Sequence, residues 1–180
     1  MTFQELNQLL DEYYERLPTY DQIMQTGQYD FRYAKVIIDN QLCIKQKTRV
    51  SFEVQSYLEL KEFLDLTRFE PPSLWFNKML YIDEDDSIYF GSFNEYSIYQ
   101  KVNDIKVYYL FDGDEQIMAP DIQTYFSVCL LHAFHFIDCL LDQESKETIS
   151  ELNKRLTQIV GNTQDYYALT QESLFSTSKD

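Results

Sequence analysis

K-M-L-Y-I-D-E-D-D-S-I-Y-F-G-S-F-N-E-Y-S-I-Y-Q-K-V-N-D-I-K-V-Y-Y-L-F-D-G-D-E-Q-I-M-A-P, residues 78–120, is the stretch whose reading decides the fold. Short segments rich in Ile, Val, Tyr and Phe alternate with polar or acidic breaks, which is the pattern of an antiparallel meander. Ile88 and Phe90 share one parity, as do Tyr96, Ile98 and Val102, while Ile105, Val107, Tyr109 and Phe111 share the other. Period-two patterning of this kind leaves a sheet with one apolar face that must be covered. The apolar run over residues 122–141, opened by Pro120 and an Asp121 N-cap, predicts the covering helix. Asp112-Gly113-Asp114 predicts a hairpin turn. Tyr81, Tyr89, Tyr99 and Tyr108 oppose the buried parity and put tyrosine on the outer face.

Upstream, Thr2 and Glu5 match a capping box, and Phe3, Leu6, Leu9, Leu10, Tyr13 and Leu17 recur at helical spacing. A short helical turn is expected over residues 21–24, closed by Gly27. Tyr33 to Ile38 and the alternating Arg49 to Val54 favour strands. Residues 31–55 carry the one locally basic patch, Arg32, Lys35, Lys45, Lys47 and Arg49, read as a solvated strand face. Ser56 and Glu59 repeat the capping box. Tyr57, Leu58, Leu60, Phe63, Leu64 and Leu66 predict a second helix ending before Pro71 and Pro72. Trp75, the only Trp, is expected as a core plug. Downstream, Ser145 is expected to cap a helix with Ile149, Leu152, Leu156, Ile159 and Val160 on one face and Gly161 at its C-terminus. Tyr166, Tyr167, Leu169 and Leu174 suggest a short docked helix. Residues 1–175 are expected to form one domain and residues 176–180 a frayed tail.

A net charge of −15, from 30 acidic and 15 basic residues, disfavours direct binding to nucleic acid or to anionic membrane and favours a basic protein partner. The N-terminus lacks a signal-peptide pattern, and no window reaches the length of a spanning helix. Cys43, Cys129 and Cys139, odd in number and in apolar surroundings, suggest reduced, buried thiols and a cytoplasmic protein.

Chemistry-bearing motifs are sparse. Cys129, His132, His135 and Cys139 share one side of the long helix, but about 15 Å of rise separates the two thiols, too far for one ion to grip all four. No cofactor is expected. A Gly-rich phosphate loop, a G-x-S-x-G and an H-E-x-x-H are all absent from the sequence, so an enzyme is not expected. Asp83-Glu84-Asp85-Asp86 is the densest charge run and lacks the spacing of a calcium loop. It reads either as a solvated turn or as an acidic tip aimed at a basic surface.

Lys61-Glu62-Phe63-Leu64 followed by Phe69-Glu70-Pro71-Pro72 and Phe76, then Lys106 to Glu115, then Ala119-Pro120-Asp121-Ile122-Gln123-Thr124-Tyr125-Phe126 resemble the SUKH superfamily. The resemblance spans residues 61–141, with Asp121 in place of the usual Ser cap. It implies an α+β fold, one antiparallel meander sheet packed against helices. It also implies a non-enzymatic immunity protein that binds a toxin domain such as a nuclease or a nucleic-acid deaminase. The expected partner-binding residues are Asp83, Glu84, Asp85, Asp86 and Glu95, with Tyr81 and Tyr99 as aromatic contacts. The alternative is a scaffold protein that self-associates through exposed aromatics. Sequence leaves the partner's identity and the oligomeric state open.

Overall fold

The structure, a computed structural model, describes residues 1–72, 74–93, 96–141 and 149–161. The expected Ser145 cap, the helix of Tyr166, Tyr167, Leu169 and Leu174, the tail and Glu95 all lie outside those residues. The fold is α+β. Helices α1 (Phe3–Arg16), α2 (Tyr20–Gln25) and α3 (Phe31–Val36) lead through a π-helical turn (Ile37–Gln41) into β1 (Leu42–Gln46). Then come α4 (Tyr57–Phe63), β2 (Leu64–Phe69), the strands β3 (Leu74–Ile82), β4 (Ser87–Phe93), β5 (Tyr96–Lys101), β6 (Val107–Phe111) and β7 (Asp114–Ala119), and helices α5 (Ile122–Leu140) and α6 (Ile149–Val160).

Strands β3 to β7 form the expected meander, antiparallel throughout and in sequence order. Asp112 and Gly113 both have positive φ, 51° and 89°, as a two-residue hairpin with a right-handed twist requires. The inner face carries Phe76, Phe90, Ile98, Val107, Tyr109 and Met118, all in the core. Two members of the expected apolar face, Val102 and Ile105, fall in the β5–β6 loop and are exposed. Phe111, at the end of β6, is also exposed.

Helix α5 covers the inner face and is buried on almost every side, because α1, α4 and α6 pack around it as well. Its first half meets the sheet through Tyr125 and Phe126, whose rings lie edge-on to Phe76 at 6.3 Å. Its second half meets α1 through Phe134, stacked on Tyr13. Glu12 of α1 joins Arg16 at 2.6 Å and Arg155 of α6 at 2.8 Å, and both guanidinium groups lie over Phe134. A cation–π clamp of this kind ties three helices together.

Four expectations need correction. Residues 31–36 are helical, not a strand: Asp30 caps Tyr33 N–H at 2.9 Å, and the buried pair Ala34 and Ile37 has i,i+3 spacing. Residues 64–69 leave the second helix and pair with β1, so Leu64 and Leu66 are buried at strand spacing, forming a two-stranded ribbon beside the meander. Residues 49–54 form no strand. Side-chain amides take the strand neighbour's place there: Asn7 donates to Val50 O at 2.8 Å, Gln123 accepts from Val54 N–H at 3.2 Å, and Gln100 bonds Tyr57 N–H and Gln55 O. Trp75 points outward and is 39% exposed, while its neighbour Phe76 is the core residue.

Candidate functional site

The outer face of the meander is organised by a row of tyrosines. Tyr81 pairs across the ladder with Tyr89, Tyr89 with Tyr99, and Tyr99 with Tyr108. Their ring centroids are 5.8, 4.9 and 5.7 Å apart. Direct cross-strand aromatic pairs each contribute up to about 1 kcal/mol, so the row stiffens four strands at once. Tyr99 and Tyr108 are buried in it, and Tyr81 at the β3 edge is 64% exposed.

Carboxylates hold the hydroxyls. Tyr99 donates to Glu115 at 2.5 Å and Tyr108 to Asp104 at 2.6 Å, while burial and then the nearby Asp83 carboxylate raise the Tyr89 hydroxyl. Lys101 joins Glu115 at 2.8 Å and lies over the Tyr108 ring. Burial, with the Asp104 carboxylate second, pushes the Tyr108 hydroxyl up to about 12. Burial and the Glu115 bond likewise raise Tyr99. In return, the Lys101 and Tyr99 bonds hold Glu115 below the usual carboxylate range, and the Tyr108 hydroxyl and Lys106 N–H lower Asp104.

At one end of this row lies the acidic turn. Asp83 accepts from the N–H groups of Asp85 at 3.0 Å and Ser87 at 2.9 Å, and the Ser87 bond is the main cause of its lowered pKa. Its carboxylate is therefore committed to closing the turn. Asp86 adopts φ 57°, and its carbonyl receives Val102 N–H at 3.0 Å, so the β5–β6 loop bearing Asp104 lies against the turn. Glu84, Asp85 and Asp86 are exposed. The strand that leads into the turn exposes Met79, at 84%, and Ile82, at 54%. Alternate connections of a meander share an end, so Asp112 and Asp114, on the β6–β7 hairpin, belong to the opposite end.

Of the residues expected at the site, the structure brings together Tyr81, Glu84, Asp85 and Asp86. Asp83 is beside them with Oδ1 taken by the N–H groups of Asp85 and Ser87, and Tyr99 is buried inside the row and cannot act as a surface contact, which corrects that expectation. Met79 and Ile82 were not expected there. Their signal is faint, because both lie in a strand whose register slips: four residues of β3 between Phe76 and Tyr81 stand against the one residue of β4 between Tyr89 and Gly91.

The Cys/His stripe divides. His132 Nε2 lies 2.7 Å from Pro72 O, and His135 Nε2 lies 3.6 Å from Cys139 Sγ. Burial raises the Cys129 thiol far above its ordinary value, and partial desolvation with the neighbouring Asp138 carboxylate raises Cys139, so neither is an activated thiolate. Cys139 is exposed and Cys43 half-buried, against the expectation that all three thiols are buried. No cluster of three or more His, Cys, Asp or Glu suited to a metal ion occurs among the described residues. No helix among them is long and apolar enough to cross a membrane. No family model, curated protein or solved structure matches this chain, so the likeness to the SUKH superfamily rests on the stretches quoted for it.

Proposed function

We propose that the chain is a non-enzymatic, cytoplasmic protein-binding module that docks a basic protein partner, in the manner of an immunity protein occupying a toxin's nucleic-acid cleft. One observation supports this reading above the others. Glu84, Asp85 and Asp86 stand exposed at a sheet end, and the strand that leads into them exposes Met79, Tyr81 and Ile82. Anionic groups of this kind steer a basic surface into encounter, and an aromatic with apolar neighbours supplies desolvated contact once docked. The rigid tyrosine row keeps the conformational cost of docking low. A net charge of −15 argues against nucleic acid itself as the partner.

The test is co-expression with the basic C-terminal domain of a toxin encoded beside the chain, followed by association kinetics. Glu84→Lys with Asp85→Lys should slow association at least about tenfold at low salt, with little change at high salt. Asp86 is left in place because its positive φ suits Asp better than Lys. A wild-type rate in the double variant would remove the acidic turn as the docking site. A second reading, self-association, is favoured by the same exposed Met79, Tyr81 and Ile82 on the edge strand β3. Light scattering over a dilution series separates the two, since docking to a foreign partner requires no oligomer.

A further inference from the structure

A second feature lies away from the acidic turn, where the β1–β2 ribbon meets β3. A cavity of about 420 Å³ is lined by Asn40, Thr67, Arg68, Glu70 and Lys78. A smaller one of about 260 Å³ shares Thr67 and Arg68 with it and adds Cys43, Lys45 and Asp65. Two backbone irregularities deliver residues to the larger cavity. Asn40 comes from the π-helical turn, which Tyr20 steadies by donating to Asp39 at 2.9 Å. Lys78 comes from the segment of β3 whose register slips against β4. Such π turns and bulges recur where a fold re-aims a side chain toward a ligand.

The electrostatics of the groove run against those of the molecule. Lys45, Arg68 and Lys78 form no ion pair among the described residues, although the chain carries 30 carboxylate side chains. Asp65, the nearest carboxylate in the smaller cavity, is held by the hydroxyl and N–H of Thr67 at 2.7 and 3.1 Å. Those bonds lower its pKa, with Lys47 and Lys45 contributing less. Thr67 therefore forms a wall and has no hydroxyl proton to offer a ligand. Asn40, Arg68 and Lys78 are the donors that remain. Glu70 faces the same space as an acceptor.

We propose that Asn40, Arg68 and Lys78 bind the phosphoryl group of a small ligand, with Glu70 placed to accept from a ligand hydroxyl. A guanidinium, an ammonium and an amide match the oxygens of a phosphoryl dianion, and Arg supplies bidentate geometry. The net negative charge repels a long polyanion. It acts little on a single phosphoryl group in this groove, because fields from charges beyond about 8 Å are screened at physiological salt. The volume suits a mononucleotide-sized molecule and exceeds what a bare phosphate fills.

The test uses the full chain with two probes, inorganic phosphate and adenosine monophosphate, each against chloride at matched ionic strength. At about ten times the dissociation constant, the wild-type unfolding midpoint should rise by about 2–5 °C. The Arg68→Gln/Lys78→Gln variant, altered only at exposed side chains, should lose that rise. A rise of equal size in the variant means a general salt effect and overturns the proposal, as does the absence of any response in wild type. At equal probe concentrations below saturation, a larger rise with the nucleotide identifies a phosphorylated small molecule, and equal rises identify free phosphate. Should the variant fail to fold, amide shifts of Asn40 and Arg68 on titration of wild type decide the matter: movement sustains the site, and its absence ends it.

Discussion

The two faces of the meander are built from the same residue types by opposite means. On the inner face, Tyr57 stacks on Phe90 at 4.5 Å, and Phe76 and Phe90 lie against Tyr125 of α5. On the outer face Tyr81, Tyr89, Tyr99 and Tyr108 lie side by side, each ring against the next. There the Tyr99 and Tyr108 hydroxyls are held by Glu115 and Asp104. The inner cluster is stabilised by exclusion of water, the outer row by ring contact plus ionised partners. At low pH only the carboxylate-tied row responds, whereas at high pH both faces do, because burial raises the Tyr57 and Tyr125 hydroxyls of the inner stack as well.

Breaking the inner face should have the largest effect. Phe90 is fully buried and touches Tyr57, Phe76 and Tyr125, so Phe90→Ala should cost about 3–5 kcal/mol in denaturant unfolding. A loss under about 1 kcal/mol would mean that α5 does not cover this face. Gly91, the next residue, joins the two faces. A Cβ there would sit 2.5 Å from the Trp75 carbonyl oxygen, a backbone atom that can move only with β3. Gly91→Ala should therefore cost about 1–3 kcal/mol and alter amide shifts along β3 more than along β6.

The outer face is sharpened by titration. The folded-state values of Asp104 and Glu115 lie below their unfolded values, so the stability they contribute is present above the usual carboxylate range and is lost as pH falls through the lowered values. Tyr108 has the opposite sign. Its folded value is raised to about 12 from 10.0, so its contribution is complete below pH 10 and disappears as pH rises toward 12. Phenolate absorbance should show Tyr108 titrating late. Asp104→Asn should bring it part of the way back, since burial is the larger cause and stays in place. An unchanged Tyr108 titration in that variant would show that the carboxylate does not hold the hydroxyl.

Much of this was legible in residue order. The parity of Ile88, Phe90, Ile98, Val107 and Tyr109, the Asp112-Gly113 turn, the capping boxes at Thr2 and Ser56 and the apolar run of α5 each point to the element that forms. Local signals failed where two conformations compete for one apolar run. Leu64 and Leu66 fit the helix begun at Tyr57 until β1 offers a partner, and Val36 and Ile37 fit a strand until Asp30 caps the turn before them. Glu84, Asp85 and Asp86 were readable as an exposed cluster because adjacent charges stay in water. Met79 and Ile82 were not, because their exposure follows from a slip in register.

Sequence alone settled the α+β class, the meander's order and the helix that roofs it, because period-two and period-3.6 patterns report directly which side of an element meets the core. Tertiary structure alone decided which tyrosines are buried, which carboxylates are committed to hydroxyls, and that Arg68 and Lys78 line the same groove. Those outcomes depend on register between strands and on contacts between residues far apart in the chain. Pairing energies of that kind exist only once the elements have met.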